Sequence, residues 1–211
     1  MLERRILIVD DNADVSDVYI PAYINRINLR KQETTKWINY NFILDHITSM
    51  KEALEYLNDV HNYVDVLVVD YDFNGESTFS DGAAFVKYIR EMVNRYCQIV
   101  FYTMQGISCL EKTTLIDMVN ADVFRLVDKS NGVEPFADVL FEAATTRNPI
   151  VESLERFFQK YSDMLETYEY RFDGETISFE EIIHHIRMDD RIGRVFIEKL
   201  LQKGILMNIE I

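Results

Sequence analysis

Ile6-Leu7-Ile8-Val9 runs without a break into Asp10-Asp11-Asn12. Such a β-rich apolar run reads as a short strand, and its lack of polar alternation marks it as buried on both faces, as strands of a parallel sheet are. The signature returns along the chain. Val66-Leu67-Val68-Val69 ends at Asp70, Ile99-Val100-Phe101-Tyr102 ends at Thr103, and Val123 to Val127 ends at Asp128-Lys129. A weaker strand lies within Trp37 to Ile47. Helical stretches fill the gaps: Ala13 to about Arg30, with Pro21 as a kink or break; Ser49 to Val60, with Ser49 and Glu52 at capping-box spacing; Asp81 to Tyr96, with Phe85, Ile89 and Met92 at helical spacing; Ile107 to Asn120; and Glu134 to Thr146. Strand and helix alternate five times, the pattern of βαβ units wound on both faces of a parallel sheet.

Composition narrows the classes. The chain has 211 residues, 48% hydrophobic and 27% charged, enough for one ordinary domain and a small second one. Seven Gly and three Pro exclude a linker-rich chain. No apolar run approaches the ~20 residues of a membrane helix. The opening Met-Leu-Glu-Arg-Arg leads straight into a strand, with no signal-peptide pattern. Cys97 and Cys109 are too few for a disulfide framework or a four-ligand zinc site. These features lead to the expectation of a reducing cytoplasm and no membrane. Lys and Arg number 22 against 36 Asp and Glu, a net charge of -14 that disfavours non-specific nucleic-acid binding. The excess is uneven: 13 basic against 23 acidic residues up to Thr146, then 9 against 13.

In a doubly wound sheet, ligands bind where the carboxyl ends of the strands converge. Here those ends carry Asp10-Asp11, Asp70, Thr103 and Lys129. Clustered carboxylates repel unless a cation joins them. Mg²⁺ suits them, as a hard ion with oxygen ligands and retained waters. Beside it, one carboxylate can attack a phosphoryl group and become an acyl phosphate. The lysine would pair with one phosphoryl oxygen and the threonine hydroxyl would donate to another.

At these residues the chain resembles the receiver domain of two-component response regulators. The matching elements are Ile-Leu-Ile-Val-Asp10-Asp11-Asn, Val-Leu-Val-Val-Asp70, Asp81-Gly82 opening a helix, Ile-Val-Phe-Tyr-Thr103 and Leu-Val-Asp-Lys129, within about residues 3 to 147. The resemblance implies a flavodoxin-like, doubly wound, five-stranded parallel sheet. It implies Asp70 as phosphoacceptor, Asp11 as a direct Mg²⁺ ligand, Asp10 as a supporting one, and the backbone carbonyl of Asp72 as a third protein ligand. Thr103 and Lys129 would sense the phosphoryl group. The chain departs from the family pattern at Met104, where a small residue is usual, and at Ser130, where proline is usual. The aromatic switch before the lysine has no clean match, with Leu126 at its spacing and Phe124 nearby. The loop from Asn74 to Ser80 is extended, and the first helix and second strand are long.

Asn148-Pro149 marks a boundary between a receiver domain, 1–147, and a C-terminal part, 148–211, with Asn148 as N-cap. Ile150, Leu154, Phe157, Tyr161, Met164 and Tyr168 recur at heptad spacing, with Phe158 and Leu165 widening the stripe. Two readings stand: a helix packed on its own domain, or a homodimer seam through 150–168. Asp173-Gly174 is a turn. Ser178 and Glu181 have capping-box spacing, and Asp189 or Asp190 caps a second helix that ends at Gly204. A strand over Ile205 to Ile211 would complete a small, mainly helical, winged-helix-like unit. Arg187, Arg191, Arg194, Lys199 and Lys203 lie on or beside the last helix, but Glu198, Asp189 and Asp190 dilute them, so a solvated or protein-docking face is favoured over DNA. His184-His185 are adjacent rather than spaced as metal ligands.

The combined expectation is a phosphoacceptor signalling protein rather than an enzyme acting on a free substrate. It takes a phosphoryl group from a histidine kinase or phosphotransfer protein and relays the change to its C-terminal module. The alternatives are a pseudo-receiver adaptor that docks without phosphorylation, and a DNA-binding regulator acting through the tail.

Overall fold

A computed structural model describes residues 2–33, 37–59, 61–74, 78–146, 149–161, 167 and 169–208. The chain divides into two compact units, one of residues 1–90 and 97–147, the other of 91–96 and 148–211.

The first unit is built on β1 (Leu2–Val9), β2 (Tyr40–Ile47), β3 (Val66–Asp70), β4 (Gln98–Thr103) and β5 (Arg125–Asp128). All neighbours are parallel, in the order β2-β1-β3-β4-β5. This is the flavodoxin-like arrangement, whose switch point lies between β1 and β3. The apolar runs follow from burial on both faces. Ile6, Ile8, Val66, Val68, Val100 and Tyr102 form one core with Tyr23, Ile27, Phe136 and Leu140. The alternate residues Leu7, Val9, Leu67, Val69, Ile99 and Phe101 point to the other face and are equally buried.

The first core is covered by α1 (Ile20–Gln32) and α5 (Val133–Thr145). Arg26 clamps them by two parallel bonds to Asp138, of 2.9 and 2.8 Å. The expected helix from Ala13 resolves into a π-helical turn over Val15–Tyr19 followed by α1, and Pro21 sits in the first turn, where a missing N–H costs nothing. The remaining helices are α2 (Met50–Asn58), α3 (Gly82–Met92) and α4 (Lys112–Asn120). Ser49 caps α2 by accepting from Lys51 N–H and Glu52 N–H; Val60 lies outside the described residues. Among the described residues, no helix is long and apolar enough to cross a membrane.

In the second unit, α6 (Pro149–Lys160) buries Val151 and Phe158, and Phe158 packs edge-on against Phe179 at 4.8 Å between ring centres. Ile150 and Phe157 are 42% and 51% exposed. Asn148, Met164, Leu165 and Tyr168 lie outside the described residues. A hairpin follows, β6 (Glu169–Phe172) and β7 (Glu175–Ser178), turning at Asp173-Gly174 with φ of 50° and 92°. Two positive φ values make the primed turn that matches the twist of a hairpin, and Asp-Gly is a sequence that favours it. Ser178 and Glu181 form a complete capping box at the start of α7 (Phe179–Arg187). Asp190 caps α8 (Arg191–Asn208), accepting from Ile192 N–H and Gly193 N–H. The two helices cross closely at Gly193, where a Cβ would stand 2.3 Å from the His185 carbonyl oxygen.

Three expectations about this unit are corrected. The winged-helix-like order of helix, helix, strand is absent among the described residues; the hairpin precedes the helix pair. Gly204 does not end the last helix, which continues through Ile205 to Asn208. An interior glycine costs only about 1 kcal/mol against alanine, and the Leu206 and Met207 that follow favour helix. Arg187 is not part of a surface patch: it is buried, and its carbonyl accepts Arg95 N–H at 2.9 Å. Arg191 and Arg194 in turn lie against Asp173 and Asp189.

Candidate functional site

Strand register levels the carboxyl ends of β1, β3 and β4. Val9 pairs with Val69, and Asp70 with Tyr102. Asp10 therefore follows β1 directly beside Asp70. Asp10 is fully buried, and its Oδ1 accepts Asn12 N–H at 2.8 Å, which turns the chain at Asp10-Asp11-Asn12. Its carbonyl lies 2.7 Å from His46 Nε2 at the end of β2, and His46 Nδ1 lies 2.7 Å from Ser16 Oγ. Asp11 is half-buried, and its Oδ2 accepts from the backbone and side-chain amides of Asn74, at 2.8 and 3.1 Å.

Asp70 closes β3. Its Oδ1 accepts Tyr71 N–H at 2.8 Å. The next helix approaches so closely that a Cβ at Gly82 would lie 1.8 Å from the Asp70 carbonyl oxygen, which explains glycine there. Asp81 caps that helix, accepting Ala84 N–H. Lys129, just past β5, donates to Asp10 Oδ2 at 2.9 Å and to Asp70 Oδ2 at 2.7 Å. One carboxylate oxygen from each of Asp10, Asp11 and Asp70 lies within 4.8 Å of the others.

Thr103 is buried at the end of β4, where its hydroxyl accepts Gln105 N–H at 3.1 Å. The Gln105 amide spans to both carboxylate oxygens of Asp72, at 3.0 and 3.1 Å. The structure thus brings Asp10, Asp11, Asp70 and Lys129 together. It places Thr103 on the neighbouring strand end, and it turns the Asp72 side chain to Gln105. Met104 is 67% exposed.

Electrostatics follow from this packing. Burial pushes the Asp70 carboxyl up to about 6; Lys129 opposes the shift and Asp10 adds to it. Three carboxylates face one ammonium, so the pocket keeps excess negative charge. Hard oxygen donors, close together and undercompensated, fit a hard divalent ion such as Mg²⁺.

Four contributors escaped the sequence reading: Tyr102, His46, Asn74 and Gln105. A tyrosine ending an otherwise apolar strand next to Thr103 was the available signal for Tyr102, since a buried phenol needs a partner. Asn74 and Gln105 bond from loops that periodicity does not describe, and His46 bonds from β2 to the turn after β1. A cleft of about 280 Å³ adjoins the site, walled by Tyr19, Tyr23, Tyr102, Met104 and Phe136 with Lys129 at its edge.

The topology is that of a flavodoxin-like, doubly wound parallel α/β unit with a carboxylate cluster at its carboxyl edge. Among solved structures, the chain is similar to a CheY-like response regulator receiver domain protein from Methanospirillum hungatei JF-1, with 13% identity, 68% of this chain and 94% of that chain covered, and a TM-score of 0.49. It is similar to a two-component response regulator from Clostridium difficile, with 17% identity, 66% and 94% covered, and a TM-score of 0.47. It is also similar to the CheX–CheY–BeF3–Mg complex from Borrelia burgdorferi, with 15% identity, 68% and 90% covered, and a TM-score of 0.46. No family model matches the chain, and no curated protein matches it in sequence.

Proposed function

We propose that this chain is a response regulator that accepts a phosphoryl group on Asp70 from a histidine kinase or phosphotransfer protein, with Mg²⁺, and relays the change to its second unit. The observation that supports this reading most is the gathering of Asp10, Asp11 and Asp70 within 4.8 Å, with Lys129 bonded to two of them.

Asp70 is the acceptor because Lys129 holds it at the switch point of the sheet. One of its oxygens forms a bond to phosphorus as the donor's bond to phosphorus breaks; from a phosphohistidine the leaving group is the imidazole, which takes up a proton. Asp11 and Asp70, with Asp10 in support and the Asp72 carbonyl, would hold Mg²⁺, which supplies neutralisation of charge on the transferring oxygens. Lys129 exchanges its carboxylate contacts for a phosphoryl oxygen. The Thr103 oxygen accepts from Gln105, so its own proton remains free to donate to a second phosphoryl oxygen. The added charge and the regrouping of Thr103 and Lys129 are the local event that a two-state element would read.

Incubation with acetyl phosphate and Mg²⁺, followed by intact mass, tests the reading. We expect a gain of one phosphoryl group that disappears in Asp70→Asn. No gain, or a gain that survives the substitution, supports a docking module without phosphate chemistry.

A further inference from the structure

Tyr102 is buried at the end of β4, paired in register with Asp70. Its hydroxyl donates to Asp10 Oδ2, and its ring lies 4.1 Å from Lys129 Nζ. The ring also packs on Phe136, 5.2 Å between centres.

Filling the core requires only a ring here. The hydroxyl of Tyr102 is instead aimed at one of the three clustered carboxylates. Asp10 Oδ1 is held by Asn12 N–H, so the phenol and Lys129 on Oδ2 complete the orientation of the carboxylate plane. The ring face does a second task. It gives the ammonium a cation–π seat while Nζ reaches Asp10 and Asp70 at 2.9 and 2.7 Å.

The geometry points to Tyr102 as a positioning residue of the acceptor site: its hydroxyl fixes Asp10 for a divalent cation, and its ring seats Lys129 between Asp10 and Asp70. This rests on the phosphoacceptor reading above. Loss of a partner that orients a metal-binding carboxylate lowers metal affinity by about 10–100-fold.

The test uses the full chain as wild type, Tyr102→Phe and Tyr102→Leu. Mg²⁺ binding is measured by calorimetry, phosphorylation by acetyl phosphate as a function of Mg²⁺, and folding by thermal unfolding without metal. Tyr102→Phe keeps the ring, so we expect about a 10–100-fold weaker Mg²⁺ Kd with the phosphorylation rate recovered at saturating Mg²⁺. Tyr102→Leu removes the ring face as well, and its rate stays low at saturating Mg²⁺. A merely structural tyrosine would lower the unfolding midpoint and leave the Mg²⁺ Kd of Tyr102→Phe at the wild-type value, which overturns the assignment while the phosphoacceptor reading stands. A wild-type chain that neither binds Mg²⁺ nor gains a phosphoryl group overturns both.

Discussion

The sheet carries a buried cation–carboxylate cluster at each end, and the two are balanced differently. At the amino end, Arg4 and Asp65 are both buried and paired at 3.4 Å. Asp65 also accepts Arg5 N–H at 2.8 Å and the Tyr63 hydroxyl at 3.1 Å, and the Arg4 guanidinium lies 4.8 Å from the Tyr40 ring centre. Among the described residues, the Arg4 guanidinium, a backbone amide and a hydroxyl all donate to the one carboxylate. At the carboxyl end, Lys129 faces Asp10, Asp70 and, close by, Asp11. The second has more negative charge than its lysine balances, and on this the proposal of a further cation rests. Both clusters are buried, so it is the excess of carboxylates over lysine that marks the carboxyl end as the candidate site.

Breaking each end sharpens the difference. The largest effect is expected at the amino end. Arg4→Met leaves Asp65 buried without its cation, at a cost of about 3–5 kcal/mol in chemical denaturation. Added Mg²⁺ does not restore that loss. At the carboxyl end, removing a charge has the opposite sign. The folded-state value of Asp70 is about 6, above its unfolded value of about 4. Between these values the folded chain binds a proton that the unfolded chain has lost. The stability this proton contributes is fully present below about pH 4 and is lost as pH rises through about 6. Asp70→Asn therefore stabilises the metal-free protein by about 2–3 kcal/mol above pH 6. The gain vanishes near pH 4, and a pH series of denaturation midpoints reads it. The smallest effect lies away from both clusters. Ser178→Ala removes a capping bond from α7 and lowers stability by about 1 kcal/mol in the same assay, with no dependence on Mg²⁺.

Most of the first unit was legible in the sequence because its strands are buried on both faces. Continuous apolar runs that stop at Asp70, Thr103 and Lys129 announce both a strand and the end where it meets solvent. Asp10, Asp11, Asp70 and Lys129 were legible for the same reason, since each sits at such a stop. Tyr102 was not, because hydrophobic periodicity treats a tyrosine at a strand end as core and carries no record of which neighbouring strand it reaches. Asn74 and Gln105 act through loop geometry that spacing does not encode, and His46 acts from β2 on the turn after β1. In the second unit, Asp173-Gly174 was readable as a turn, but the four-residue strands around it, with charged residues at Glu169, Arg171 and Glu175, are too short and polar to stand out. Gly204 misled because a glycine ends a helix only where the chain adopts the left-handed conformation, and here the apolar residues beyond it continue the helix.

The central claim is that a phosphoryl group resides on Asp70. Reduction of the acetyl-phosphate-treated chain with borohydride, followed by peptide mapping, converts an aspartyl phosphate to homoserine and locates it directly. The account predicts homoserine at position 70 alone, formed with Mg²⁺ and lost when the ion is chelated. Homoserine at another aspartate, or at none, would contradict it.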